Sequence, residues 1–291
     1  MEISASQVKE LREMTGAGMM DCKKALVESN GDMDKAIDYL REKGISKAAK
    51  KADRIAAEGL TNIYVDGNKA VILEINSETD FVAKNEEFKA LLDLIGNTIL
   101  SSDAKTMEEA LTLNTSEGTI EELITNKTAK IGEKLSFRRF ELVEKTSDEV
   151  FGNYLHLGGK IASLLVLTGK DENVAKDVAM QVAAMRPKYV SREEVLPEEI
   201  EHEKEVLRSQ ALEEGKKPEF VDKIIEGRLG KFFEDICLVD QSFVKDGDLK
   251  VSEFLKNNNM NVVKMIRYEV GEGLEKRNDN FAEEVRSQIN N

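Results

Sequence analysis

The sequence predicts an α+β protein on three observations: a strand, turn, strand, helix order that occurs twice, a set of short helical segments at the N-terminus, and a wholly helical stretch over 197–236. Hydrophobic residues make up 41% of the 291 positions and charged residues 34%, with 3 Pro, a composition that suits a helix-rich folded chain and not a disordered one. At the usual ~150 residues per domain, this length corresponds to about two domains and can bury a core without disulfides or metals.

Residues 1–54 read as a compact three-helix bundle and its connector. Helical spacing groups Val8 and Leu11 over Ser6–Met14, Met20, Ala25 and Leu26 over Met19–Ser29, and Met33, Ala36, Ile37 and Leu40 over Met33–Lys43. Gly16 and Gly18 separate the first pair, Asn30-Gly31 closes the second helix, Asp32 caps the third and Gly44 ends it. The Lys- and Ala-rich text from Ser46 to Glu58 predicts a helical connector that stops at Gly59.

The body follows. Leu60–Val65 and Ala70–Ile75 alternate as strands around Asp66-Gly67-Asn68, a hairpin signal, and a polar loop, Asn76–Asp80, leads to a helix from Asn85 to about Leu100. The order returns with Asn153–Leu157, a turn at Gly158-Gly159, Lys160–Leu167 and a helix from about Asn173 to Met185. Two related α+β subdomains with antiparallel sheets are therefore expected, over 55–145 and 146–278, with Leu135–Val143 and Val262–Val270 as further strands.

A helical hairpin is inserted in the second subdomain at about 187–236. Pro197 and Pro218 suit first helical turns and Gly215 lies between them. Ile200, Leu207 and Ala211 on one arm and Val221, Ile224, Phe232 and Ile236 on the other form narrow stripes, so the arms are expected to pack on each other. A homodimer through 197–236 is the alternative use of the same seam.

Charge narrows the function. The 42 bases and 56 acids give −14, and because residues 1–54 hold 11 bases and 10 acids, the rest carries −15. Such acidity argues against direct nucleic-acid or membrane-surface binding and favours protein or small-molecule partners. Cys22 and Cys237 stand alone without a CxxC or Cys/His cluster, so neither a metal site nor redox chemistry is expected. Met1-Glu2-Ile3-Ser4 lacks the base and apolar run of a secretion signal, and the longest apolar run, Ala162–Leu167, is too short to span a bilayer; a cytoplasmic location is expected.

Catalytic chemistry is thinly supplied. The histidines are His156 and His202, and the latter sits in a glutamate-rich helix. No GxxxxGK[ST] loop is present, and the GxGxxG starts at Gly16 and Gly271 fail at Asp21 and Lys276, so no nucleotide site or cofactor is expected. Paired acids such as Glu193-Glu194 read as solvated faces. The chain is thus expected to be a binding protein and not an enzyme. More unusual is Ser77–Asn85, where Phe81 and Val82 interrupt a polar stretch. The pattern favours a hydrophobic staple of Phe81 on Phe88 or Leu91; the other reading is an exposed aromatic beside Asp80, able to enter a pocket on a partner.

The stretches TGAGMMDCKKAL (Thr15–Leu26), TDFVAKN (Thr79–Asn85), IGEKLSFRR (Ile131–Arg139), EGRLGKF (Glu226–Phe232) and RYEVGEGLEK (Arg267–Lys276) resemble bacterial translation elongation factor Ts, in the same order from first helix to tail. The resemblance implies a guanine-nucleotide exchange factor that binds elongation factor Tu and promotes GDP release without binding nucleotide itself. It further implies that Asp80 and Phe81, completed by Thr79 and Val82, intrude between two helices of the partner's nucleotide-binding domain and disturb its magnesium site. Arg12, Met19, Met20 and Lys23 match positions that grip a helix of that domain. His156 matches the histidine of the second-half motif, where Lys160 stands in place of the family's Arg. The resemblance also makes the hairpin a protruding coiled coil and 279–291 a C-terminal module, with a helix from about Asp279 to Ile289. An adaptor of ubiquitin-associated type is the rival reading, because residues 1–54 have the size and helix pattern of such domains.

Overall fold

Apolar spacing closes the first small core. In the computed structural model, which describes residues 3–15 and 17–275, α1 (Ala5–Thr15) contributes Val8 and Leu11, α2 (Met19–Glu28) contributes Cys22, Ala25 and Leu26, and α3 (Met33–Ala49) contributes Ala36. Met20 is not part of this stripe: it stands exposed, and Cys22, Ala25 and Leu26 supply the i, i+3, i+4 face instead. Asp32 caps α3, its carboxylate accepting from the Lys35 N–H at 3.1 Å. The helix does not end at Gly44 but runs to Ala49, and residues 50–54 form turns where a helical connector was expected.

Gly59 likewise does not stop an element; it lies inside β1 (Glu58–Asp66), which turns at Gly67-Asn68 into β2 (Lys69–Ser77). A one-turn helix, α4 (Asp80–Ala83), then precedes α5 (Glu86–Leu100). Next come α6 (Met107–Leu111), the two-residue strands β3 (Asn114–Thr115) and β4 (Gly118–Thr119), α7 (Ile120–Ile131) and β5 (Ser136–Glu144). Reciprocal capping boxes, Thr106 with Glu109 and Thr119 with Glu122, start α6 and α7. The sheet order β1-β2-β5 makes β2 central, so Ala70–Ser77 is buried throughout and not on alternate residues only. Val71, Leu73 and Ile75 share a core with Phe88, Leu91, Leu92, Ile95 and Ile99 of α5.

The continuation of α3 has a tertiary cause. It packs along α7, with Arg41 paired to Glu122 and Gly44 buried so that a Cβ on it would stand 3.6 Å from the Ala129 Cβ. A mid-helix glycine costs about 1 kcal/mol relative to alanine, less than such burial returns.

In the second half, β6 (Glu149–His156) pairs antiparallel with β7 (Ile161–Thr168), in register from Glu149↔Thr168 to His156↔Ile161. Asp171 caps α8 (Glu172–Met185), whose Val174, Val178 and Val182 pack with Leu165 and Leu167. This helix lies so close to β6 that a Cβ at Gly152 would fall 2.3 Å from the Ala175 carbonyl oxygen. The hairpin is formed by α9 (Pro197–Glu213) and α10 (Pro218–Ile236), which bury Leu207, Ala211, Val221 and Ile225 between them. Arg208–Asp222 at 2.9 Å and Arg228–Glu214 at 2.7 Å flank that seam. The elements β8 (Ser242–Phe243), β9 (Asp246–Lys250) and α11 (Val251–Asn257) were not expected; β10 (Val262–Glu269) completes the order β10-β7-β6.

The class is therefore α+β. Among the described residues, 3–65, 71–142 and 269–275 form one compact unit, and 66–70 with 143–268 form another. The helix expected at Asp279–Ile289 lies outside the described residues. No helix among the described residues is long and apolar enough to cross a membrane, and no cluster of acids, His or Cys among them could hold a metal ion.

Candidate partner-binding surfaces

Thr79 is where β2 passes into α4. Its main-chain N–H donates to Glu133 Oε2 at 3.0 Å and its hydroxyl donates to Glu133 Oε1 at 2.7 Å. The same hydroxyl oxygen accepts from the Val82 N–H at 3.4 Å, capping the helix, and the Thr79 carbonyl accepts from Ser77 Oγ at 2.9 Å. Val82 and Ala83 turn inward against the core of β2 and α5. The opposite side of the single turn carries Asp80 and Phe81.

Phe81 is 80% exposed, so it staples neither Phe88 nor Leu91, and the inward contact belongs to Val82. The reason is periodicity. Once Thr79 caps a turn at Asp80, positions 82 and 83 face the core and 81 must face water, whereas a staple would need extended chain there. Asp80 accepts from Lys84 Nζ at 2.6 Å, one turn on, and the same ammonium stands 6.0 Å from the Phe81 ring centroid.

On α2, Met19, Met20 and Lys23 are all exposed, with Met20 at 76%, and Arg12 is exposed on α1. Met14 on α1 and Val27 on α2 also stand exposed; sequence reasoning passed over both, although Val27 follows Met20 by seven residues on one helical face. The methionines Met19 and Met20 are unbranched and polarizable and stand on one helix with Lys23, which suits an adaptable contact.

His156 belongs to the other unit. It ends β6 beside a turn in which Leu157 takes φ 50°, and its ring stacks on Tyr154 with centroids 6.1 Å apart. Leu155 and Leu157 are exposed on either side of it. Cys237, by contrast, is buried, and burial with the nearby Asp240 pushes its thiol up to about 11, which leaves it inert as a nucleophile near neutral pH.

A family model described as Elongation factor TS matches residues 78–272, about two thirds of the chain. The chain belongs to the elongation factor Ts family. That family supplies nucleotide exchange for elongation factor Tu during translation elongation, which gives the kind of activity and the kind of partner. The matched span takes in Thr79–Val82 and His156, and it leaves out Arg12, Met19, Met20 and Lys23. Sequence reasoning missed Glu133, the residue that grips Thr79, although IGEKLSFRR was among the stretches that resemble the family.

Proposed function

We infer that this chain promotes GDP release from elongation factor Tu by inserting Asp80 and Phe81 into the partner's nucleotide-binding domain and disturbing its magnesium site, in the cytoplasm where translation runs. The observation that carries the reading is Phe81, held 80% exposed on a turn whose other side is anchored by Thr79 and Val82. A large aromatic kept in water gains only when a partner buries it. Magnesium neutralises the phosphates, so displacing its surroundings weakens the nucleotide through charge without any bond to the nucleotide itself.

Magnitudes require more than this turn. Burying Phe81 returns ~1.5 to 3 kcal/mol, whereas a nanomolar nucleotide is held by ~12 kcal/mol. Coupling is reciprocal: whatever factor the protein takes from nucleotide affinity, the nucleotide takes from the protein's. Further contacts must therefore hold the nucleotide-free complex, and the exposed Arg12, Met19, Met20 and Lys23, with His156, are the side chains assigned to that task.

Stopped-flow release of fluorescent GDP from elongation factor Tu tests the assignment. Asp80→Ala with Phe81→Ala should slow release at saturation roughly ten- to hundredfold, the rate equivalent of that burial, with the fold intact. Met20→Ala should instead raise the concentration needed for half-maximal release. Unchanged release by the double variant would remove the assignment of Asp80 and Phe81.

A further inference from the structure

The turn that carries Phe81 cannot hold itself. Four residues form too few internal hydrogen bonds to repay helix nucleation, and an exposed Phe81 adds no packing to fix its direction. Beside the inward packing of Val82 and Ala83, what holds it is a reciprocal exchange between two segments. The Glu133 carboxylate accepts both donors of Thr79, at 3.0 and 2.7 Å, while the Glu78 carboxylate accepts the Lys134 main-chain N–H at 2.6 Å and Arg54 Nη1 at 3.2 Å. Each acid thus binds the backbone beside the other. Gly132 allows this by ending α7 with φ 89°, a left-handed cap that returns the next residue toward the end of β2 and that a side chain would strain.

We propose that Glu133 is a positioning residue for nucleotide exchange, fixing through Thr79 the one-turn helix that presents Asp80 and Phe81; this rests on the reading of that turn as the intruding element. The carboxylate gives each Thr79 donor its own anionic oxygen, and charge-assisted bonds of this kind are the stronger class. Thr79 Oγ1 remains able to cap Val82 while it donates. The direction of the aromatic is then set before the partner is met, and the ordering is not left to the moment of insertion. The residues assigned above to holding the partner, Arg12, Met19, Met20, Lys23 and His156, lie outside this turn, so loosening the turn should lower the release rate at saturation and leave the half-saturating concentration in place.

The test uses the full chain with elongation factor Tu and fluorescent GDP. Glu133→Ala should lower the saturating release rate about tenfold, as expected for a misplaced reactive group, with half-saturation moved less than about twofold. Glu133→Gln should recover most of the rate, because its amide oxygen can accept from the Thr79 N–H and its amide N–H can donate to Oγ1. In an Asp80→Ala, Phe81→Ala background, Glu133→Ala should cost nothing further, since it acts through those two side chains.

A wild-type saturating rate for Glu133→Ala overturns the positioning role, as does a loss that adds in full to that of the Asp80→Ala, Phe81→Ala double variant. So does a loss that tracks only a lower melting temperature. Should the Asp80→Ala, Phe81→Ala double variant release GDP at the wild-type rate, the underlying reading fails and carries the proposal with it; should the double variant be slow and Glu133→Ala normal, the positioning role alone fails. If Glu133→Ala loses its far-UV signal, Thr79→Val removes the shorter bond from the other side, and the same loss, absent in the Asp80→Ala, Phe81→Ala background, is required of it.

Discussion

Glu74 lies fully buried in the central strand β2, and its carboxylate gathers four donors from one unit. Oε1 accepts from Asn76 Nδ2 at 2.9 Å, Arg138 Nη1 at 3.1 Å and the Gly271 N–H at 2.8 Å, while Oε2 accepts from Arg139 Nε at 2.6 Å. Glu74→Ala takes the shared acceptor from two guanidiniums and a buried N–H together, although Arg138 Nη2 keeps the Glu272 carbonyl and Arg139 Nη2 keeps the Glu269 carbonyl. Removing one partner of a buried pair typically costs ~3 to 5 kcal/mol; because Arg138 and Arg139 keep 22% and 27% side-chain exposure and can recruit water, the lower end applies, about 3 kcal/mol. For a unit of roughly 150 residues that lowers its melting temperature by about 6 to 12 °C. Arg138→Ala should cost only about 1 kcal/mol, since the carboxylate keeps its other three donors. Calorimetry and urea unfolding of both variants at neutral pH measure the difference. A loss below about 1 kcal/mol for Glu74→Ala, or an equal loss for Arg138→Ala, would refute the account of the carboxylate as the shared acceptor.

Two further outcomes follow from the packing of α7. Gly44→Ala should stabilise the chain by about 0.4 to 1 kcal/mol, because its backbone is helical and the added methyl would meet Ala129 at 3.6 Å, an ordinary contact; a lower unfolding midpoint would contradict this. Glu87 titrates below the ordinary glutamate value of 4.5: burial raises it, but Lys130 at 2.7 Å and Lys127 at 3.3 Å outweigh burial. A depressed carboxylate contributes stability above its unfolded value that is lost as pH falls through the folded one. The melting difference between wild type and Glu87→Gln should therefore be full at pH 7 and shrink below pH 4.5, as pH-dependent calorimetry would show; a difference that persists unchanged into acid would exclude the ion cluster as its source.

Local pattern carried most of the regular elements. The two large hairpins, α5, α8 and the Pro-led arms α9 and α10 were legible because period, cap and turn residues agree within each segment. Signals also existed for α6 and α7, whose Thr-x-x-Glu boxes at Thr106 and Thr119 are N-terminal signatures that the reading left unused. Gly44 and Gly59 were read as stops because a single-residue propensity of about 1 kcal/mol is a weak prior against tertiary packing. The staple that pattern favours for Phe81 fails because apolar spacing cannot say which of two adjacent hydrophobic residues turns inward until the cap at Thr79 sets the phase; the exposed alternative is the one the structure has. The contacts of Glu133 with Thr79 and of Glu74 with Arg138 join residues 54 and 64 positions apart, and no periodicity spans such distances.

Helix α7 has foundations at both ends. Its first turn holds Arg41 of α3 through Glu122, its middle lies under Gly44, and the chain leaving its last turn carries the acid that grips Thr79. The helix thus works as a ruler between two handholds, the methionine-bearing bundle and the aromatic turn. One residue inserted in it would lengthen the ruler by about 1.5 Å and swing its far end by about 100°. Side chains on its outer face are free to drift, but its twelve-residue length is not.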